Sequence, residues 1–205
     1  DRQDVPHIKA SNPEARGGDT FILLKDDIVG VRQMELETDC EIVWTKFEIT
    51  GCKSVYVASY YRPHEKDKSS IDELQKSLEK ISNRTSSHIW IGGDFNFPGY
   101  DWSKEHLKKN CSQPELTRRF LDILADNNLT QIVTEPTFHD NTLDLILVNN
   151  PSIVYNTQVA PGISSDGHHA VYAEIDISPI RRKKKPRKFH KYSKADYDSM
   201  RSHMQ

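Results

Sequence analysis

Short apolar runs separated by polar or glycine-containing segments predict a chain that alternates between strands and helices. Residues 41–49 alternate apolar and polar positions, with Ile42, Trp44, Phe47 and Ile49 as candidate core residues. The turn-forming residues at 50–53 then predict a hairpin with the following strand. Further strands are predicted at 21–24, 54–60, 88–92, 130–133, 143–149, 153–159 and 170–177.

Two segments have helical periodicity. In residues 69–82, apolar side chains recur three or four positions apart, and Ser69 or Ser70 can cap the first turn. Residues 114–126 start with Pro114 at the first helical position and have a similar apolar face. The first helix lies between two strands, which predicts a β–α–β step inside an α/β sandwich built on two sheets.

The chain of 205 residues is long enough for one domain with its own core. Residues 1–16 lack periodicity and are expected to be irregular, whereas residues 17–179 are expected to form the domain. The apolar pattern ends after Pro179, so residues 180–205 are interpreted as a basic linker followed by a weak helical pattern.

Composition narrows the functional classes. No apolar stretch reaches the length of a membrane span, and the first residues lack the features of a signal peptide. Three cysteines without metal-ligand spacing are typical of free thiols in a reducing compartment. We therefore expect a soluble intracellular protein that does not bind membranes.

Charge is distributed unevenly along the chain. The chain has a net charge of −2. Residues 181–191 carry eight basic side chains, whereas residues 1–180 carry 18 basic and 28 acidic side chains. An acidic body argues against tight unaided binding to DNA. The basic run at 181–188 either contacts DNA phosphates or serves as a nuclear localisation signal, or it is a solvated linker.

The most informative segment is Ile-Trp-Ile-Gly-Gly-Asp-Phe-Asn at residues 89–96. Side chains two apart on an extended segment point the same way, so Asp94 and Asn96 should project together while Phe95 enters the core. A carboxylate beside an amide suits a hard cation such as Mg²⁺ or the orientation of a water molecule. The alternative is a strand that ends in an ordinary turn.

Three other segments carry candidate chemistry in a fixed order. Residues 54–63 form a β-rich run that ends in Tyr-Tyr-Arg-Pro, and residues 142–148 place Asp144 within an apolar strand. Residues 164–171 read Ser-Ser-Asp-Gly-His-His-Ala-Val, with an acid and two histidines ahead of another strand. Buried carboxylates need a partner, so Asp144 should be paired with either a catalytic group or backbone donors.

Together these segments resemble the endonuclease/exonuclease/phosphatase superfamily. Ser-Tyr-Tyr-Arg-Pro at 59–63, Asp-Cys-Glu-Ile-Val-Trp at 39–44 and Pro-Gly-Ile-Ser at 161–164 resemble the endonuclease domain of jockey-like and CR1-like non-LTR retrotransposons. The resemblance implies a DNase I-like fold, here a partial four-layer α/β sandwich of two mixed β-sheets flanked by helices. It implies metal-dependent hydrolysis of phosphodiester bonds.

The resemblance also assigns roles to single residues. Tyr61, rather than its neighbour Tyr60, would donate a hydrogen bond to the scissile phosphate. Asp94 would orient and deprotonate the attacking water, and Asn96 would hold phosphate or metal-bound water. Asp144 would hold the catalytic histidine in position.

The histidine and the metal ligands are assigned in the same way. His168 is the catalytic candidate and His169 the alternative, while Asp166 and Asn96 would bind Mg²⁺, with Mn²⁺ as a substitute. The family has Asp and His adjacent, whereas Gly167 separates them here. The family's first Asn and metal-binding Glu precede the region matched from Gly17, so we expect the domain to lack its first strands.

The implied partners are DNA, which would be nicked at the target strand to give a priming 3′-hydroxyl, and the reverse transcriptase domain of the parent element. A working enzyme of this kind would be nuclear. Three interpretations stay open: an active endonuclease, a decayed retrotransposon fragment and a non-catalytic binding module. The absent Asn and Glu, the Asp-Gly-His segment and the acidic body favour the second. A phosphatase of the same superfamily fits the signatures less well. The sequence does not specify the oligomeric state.

Overall fold

The computed structural model describes residues 7–9, 20–84, 86–162, 167–177 and 202. Predictions for Asp166, the basic run at 181–188 and most of the C-terminal helical pattern therefore fall outside the described residues. The strands of this part of the chain are β1 (His7–Lys9), β2 (Phe21–Leu23), β3 (Gly30–Arg32), β4 (Glu41–Phe47), β5 (Val55–Tyr61), β6 (His88–Asp94), β7 (Tyr100–Asp101), β8 (His106–Leu107), β9 (Thr130–Gln131), β10 (Asp144–Val148), β11 (Val154–Ala160) and β12 (Ala170–Ile175). The α-helices are α1 (Lys68–Ile81) and α2 (Pro114–Asp126).

A six-stranded mixed sheet in the order β3–β4–β5–β6–β10–β9 is the centre of the fold. Strands β4 and β5 form the antiparallel hairpin that the sequence predicts. Strands β5 and β6 are parallel and are joined through α1, which confirms the predicted β–α–β step. Smaller two-stranded ribbons pair β1 with β2, β7 with β8, and β11 with β12. The α/β class of the fold is therefore confirmed.

One face of the central sheet buries its apolar side chains against α1 and α2. Trp44 lies fully buried there, and its indole Nε1 donates to the Ser77 Oγ of α1 at 2.8 Å. Phe120 of α2 stacks on Phe97 with ring centroids 4.4 Å apart. This face therefore packs the sheet against both helices. No helix in the described residues is long and apolar enough to span a membrane.

Two local predictions were wrong. Residues 7–9, expected to be irregular, form β1 and pair with β2, because a three-residue strand is too short to show a period in the sequence. The N-cap of α1 is Asp67 instead of a serine: its Oδ1 accepts from the Ser70 backbone N–H at 3.0 Å. Ser69 donates to the same oxygen at 2.8 Å, and the Ser70 hydroxyl bonds to the Tyr60 hydroxyl at 2.7 Å.

Candidate active site

Four polar side chains lie in one row across the end of the central sheet. In the strand register, Glu41 is opposite Tyr61, Tyr61 is opposite Asp94, and Asp94 is opposite Asp144. Residues directly opposite one another in a sheet project from the same face. The topology therefore brings Tyr61, Asp94 and Asp144, which are far apart in the sequence, onto one surface.

Asp94 is the last residue of β6, and the chain turns sharply after it. The Asn96 backbone has φ 52°, in the left-handed region, and its N–H donates to Asp94 Oδ1 at 2.9 Å. Phe95 is fully buried, as predicted. The strand therefore ends at Asp94, and the Asp94 carboxylate closes the turn that follows. The prediction that the extended backbone continues as far as Asn96 is wrong.

Gly93 permits the close approach of β6 to β5. Its φ is 148°, and a Cβ atom at this position would lie 1.8 Å from the Tyr60 carbonyl oxygen. Any other residue would push the two strands apart. Since Asp94 follows directly, this glycine fixes where the carboxylate leaves the sheet.

The carboxyl group of Asp94 is destabilised in its charged form. Burial raises its pKa, and the negative charge of Asp144 raises it further, to about 6. His168, the Asn96 N–H and Arg62 offset part of this increase. A carboxyl group with such a pKa remains mostly ionised at neutral pH but binds a proton or a cation readily.

The two adjacent tyrosines point to opposite faces of the sheet. Tyr60 is 1% exposed in the core, whereas Tyr61 is half-buried on the face with Asp94. Burial raises the pKa of Tyr61, and the charges of Asp94 and Glu41 add to the increase. The Tyr61 hydroxyl therefore keeps its proton and can act as a hydrogen-bond donor at neutral pH.

Asp144 is paired with His168, although the residues are 24 positions apart. The His168 Nδ1 lies 2.9 Å from Asp144 Oδ2, and both side chains are half-buried. A carboxylate at Nδ1 fixes the tautomer and the orientation of an imidazole. Of the two candidate histidines, His168 is the one in contact with Asp144, whereas His169 is exposed.

Residues 137 and 138 support this pair and were not singled out from the sequence. Thr137 is fully buried, and its Oγ1 accepts from the backbone N–H groups of Leu143 and Asp144, each at 3.0 Å. The Phe138 ring packs against the His168 ring with centroids 4.6 Å apart. In the sequence, the signal for this support was a threonine followed by an aromatic residue just ahead of the strand that contains Asp144.

The donor atoms present fit a hard divalent cation. Asp94 supplies a carboxylate whose negative charge is only partly offset by its neighbours. The Asn96 side chain carries an amide oxygen, and its Nδ2 donates to the Arg62 carbonyl at 3.4 Å. No group of three or more His, Cys, Asp or Glu side chains in the described residues could hold a metal ion. Mg²⁺ is commonly bound by one or two protein carboxylates together with water and substrate phosphate, so a sparse donor set suits it. The predicted ligand Asp166 lies outside the described residues.

Comparisons with known proteins identify the family and the fold of the chain. The fold is the DNase I-like fold of the endonuclease/exonuclease/phosphatase class. Residues 55–172 match the Endonuclease-reverse transcriptase family, and the chain belongs to this family. The matched range contains Tyr61, Asp94, Asp144 and His168. No curated protein matches the sequence.

Several solved structures share the fold. The endonuclease domain of TRAS1, a telomere-specific non-LTR retrotransposon, superposes with a TM-score of 0.64 at 16% identity, covering 83% of this chain and 77% of that one. The human Nocturnin catalytic domain with bound sulfate has a TM-score of 0.54 at 13% identity, covering 84% and 72%. The Xenopus laevis APE2 catalytic domain has a TM-score of 0.50 at 17% identity, covering 70% and 57%.

Proposed function

We propose that this protein is the endonuclease of a non-LTR retrotransposon and hydrolyses phosphodiester bonds in DNA with the help of a divalent cation. The observation that carries the proposal is the convergence of Tyr61, Asp94 and the Asp144–His168 pair at one end of the sheet. These groups can donate to a phosphate oxygen, take a proton from water and stabilise the charge that develops on the phosphate.

The side chains divide the chemical step among them. Asp94, largely ionised at neutral pH, orients the attacking water and accepts its proton. As the water oxygen bonds to phosphorus, the bond from phosphorus to the 3′ oxygen breaks, and that oxygen leaves and takes up a proton to become the 3′-hydroxyl. The Tyr61 hydroxyl donates a hydrogen bond to a phosphate oxygen. Asp144 holds Nδ1 of His168, so that Nε2 is the ring atom that acts on the phosphate.

Asp94 and Asn96 would hold the cation, and Mg²⁺ or Mn²⁺ suits their oxygen atoms. Such an ion neutralises charge on the scissile phosphate when it is bound. Asp166 stays a predicted further ligand. The proposed substrate is a DNA target strand, the proposed partner is the reverse transcriptase domain of the parent element, and the proposed location is the nucleus.

The test is nicking of supercoiled plasmid by the purified chain in Mg²⁺. We expect nicking that stops with EDTA and in Asp94→Asn, because the variant keeps the hydrogen-bond acceptor but loses the base and the cation ligand. Asp101→Asn is the matched control, since Asp101 binds the Ser103 backbone N–H through Oδ1 at 3.1 Å just as Asp94 binds Asn96. Equal activity of wild type and Asp94→Asn would refute the proposal.

A non-catalytic DNA-binding or decayed fragment is the second candidate. Decay is favoured by the sparse set of metal ligands in the described residues and by the acidic body of the chain. A folded wild-type protein that binds plasmid, seen as slower migration in a mobility-shift assay, but never nicks it would support a binding module. A folded protein that does neither would support decay.

A further inference from the structure

We infer that Arg62 is a positioning residue that holds the Asp94–Asn96 segment in its functional geometry. This inference deepens the proposed function and rests on it for its consequence for turnover. Arg62 follows Tyr61 at the end of β5 and is fully buried, which is unusual for an arginine. A fully buried side chain cannot contact DNA phosphates, so Arg62 must have a role inside the protein.

The guanidinium group of Arg62 is satisfied by main-chain oxygens. Its Nε donates to the Phe95 carbonyl at 2.7 Å, and one Nη donates to the Asn96 carbonyl at 2.7 Å. The other Nη donates to the carbonyls of Glu65 at 3.1 Å and Asp67 at 3.3 Å. A planar fork with five N–H donors can bridge several carbonyls at once, which a lysine ammonium cannot reproduce.

The backbone of Arg62 contacts the same segment. Its N–H donates to the Asp94 carbonyl at 2.9 Å, and its carbonyl accepts from the Asn96 side-chain Nδ2 at 3.4 Å. The guanidinium carbon also lies 3.8 Å from the centroid of the Phe97 ring. Main chain and side chain of one residue therefore bind every residue from Asp94 to Phe97.

These contacts fix the turn that carries the proposed cation ligands. Asn96 has a left-handed backbone, a conformation that costs free energy in a residue with a side chain. Such a conformation persists where surrounding contacts hold it. Arg62 supplies that constraint at the carbonyls on both sides of the Asn96 N–H. It also ties the turn to the N-cap of α1 through the Asp67 carbonyl.

The test compares Arg62→Lys with Arg84→Lys. Arg84 is a matched control because its guanidinium also lies over an aromatic ring, 4.9 Å from the centroid of Tyr56 at the other end of β5. Amide hydrogen exchange is measured by NMR at Phe95 and Asn96, whose N–H groups bond to Leu143 O and Asp94 Oδ1. We expect at least about tenfold faster exchange in Arg62→Lys and little change in Arg84→Lys.

Activity supplies the second readout. Displacement of a catalytic group by about 1 Å costs roughly a hundredfold in rate, so kcat of Arg62→Lys should fall by about that factor while KM stays nearly constant. Unchanged exchange at both amides, or equal acceleration in the Arg84 variant, would overturn the inference. If the wild type never nicks DNA, the proposed function fails, while the exchange data still decide the role of Arg62.

A second variant covers failure of Arg62→Lys to fold. Phe97→Leu keeps the arginine and removes the ring beneath it. We expect the Arg62 Nε–H and the Asn96 amide to exchange faster together, because the first helps to hold the second. Acceleration of the Nε–H alone would show that the guanidinium does not constrain the turn.

Discussion

Replacing Asp94 with asparagine should stabilise the folded protein at neutral pH while removing its proposed activity. The carboxyl group has a pKa of about 6 in the folded state, compared with 3.8 for an unperturbed aspartate. Burial raises this pKa, and the negative charge of Asp144 raises it further. The folded state therefore binds this proton more tightly than the unfolded state, and ionisation costs stability.

The sign and size of the effect follow from linkage. The contribution of the protonated group is fully present below the unfolded pKa and is lost as pH rises through the folded pKa. A shift of roughly 2 units, at 1.36 kcal/mol per unit, sets a ceiling of about 3 kcal/mol. Asp94 is half-buried, so solvent screening leaves an expected gain of about 1–2 kcal/mol for Asp94→Asn at pH 8.

The assay is urea unfolding followed by circular dichroism, in EDTA, at several pH values between 4.5 and 8. We expect the difference in free energy of unfolding between variant and wild type to grow from pH 4.5 to about pH 6 and then to stay constant. EDTA is needed because a bound cation would stabilise the ionised wild-type carboxylate.

Asp101→Asn is a control of opposite sign. Hydrogen bonds from Ser103 and Lys104 lower the pKa of Asp101 to about 2. Its stabilising contribution is present above the unfolded pKa and is lost as pH falls, so this variant should be less stable than wild type at pH 8. An Asp94→Asn variant that is no more stable than wild type at pH 8, or whose gain does not depend on pH, would refute the reasoning.

Three further predictions follow from single contacts. Asp67→Ala should lose about 1 kcal/mol of stability in thermal unfolding, whereas Ser69→Ala should change little, because Asp67 is the N-cap of α1. Gly93→Ala should fail to fold or lose well over 2 kcal/mol, since the added methyl would meet a backbone carbonyl; soluble yield and circular dichroism measure this. Asp144→Asn should lower the pKa of Asp94 in an NMR titration, because it removes the nearest negative charge in the register.

Periodicity in the sequence was sufficient for most of the fold. The apolar spacing in α1 and α2, and the turn between β4 and β5, reflect local physics that a short window contains. The existence of β1 and the identity of the N-cap of α1 could not be predicted from periodicity. The three-residue β1 depends on a partner strand beyond residue 20, and three potential caps follow one another before Ile71.

The candidate site divides along a similar line. Motifs singled out Tyr61, Asp94, Asp144 and His168, and the fold brings these residues together. The supporting residues Thr137, Phe138 and Arg62 could not be predicted, because their roles depend on contacts between residues far apart in the sequence. Arg62 belongs to a motif in which an arginine would ordinarily be solvated, and only the tertiary structure shows that it is buried among main-chain carbonyls.

The most direct test of the central claim compares His168→Gln with His169→Gln in the plasmid-nicking assay with Mg²⁺. The two variants make the same chemical change at adjacent positions, and only His168 contacts Asp144. We predict a loss of about a hundredfold or more in the nicking rate for His168→Gln and a rate near wild type for His169→Gln. Equal rates for the two variants, or a folded wild type without nicking activity, would contradict the proposed active site.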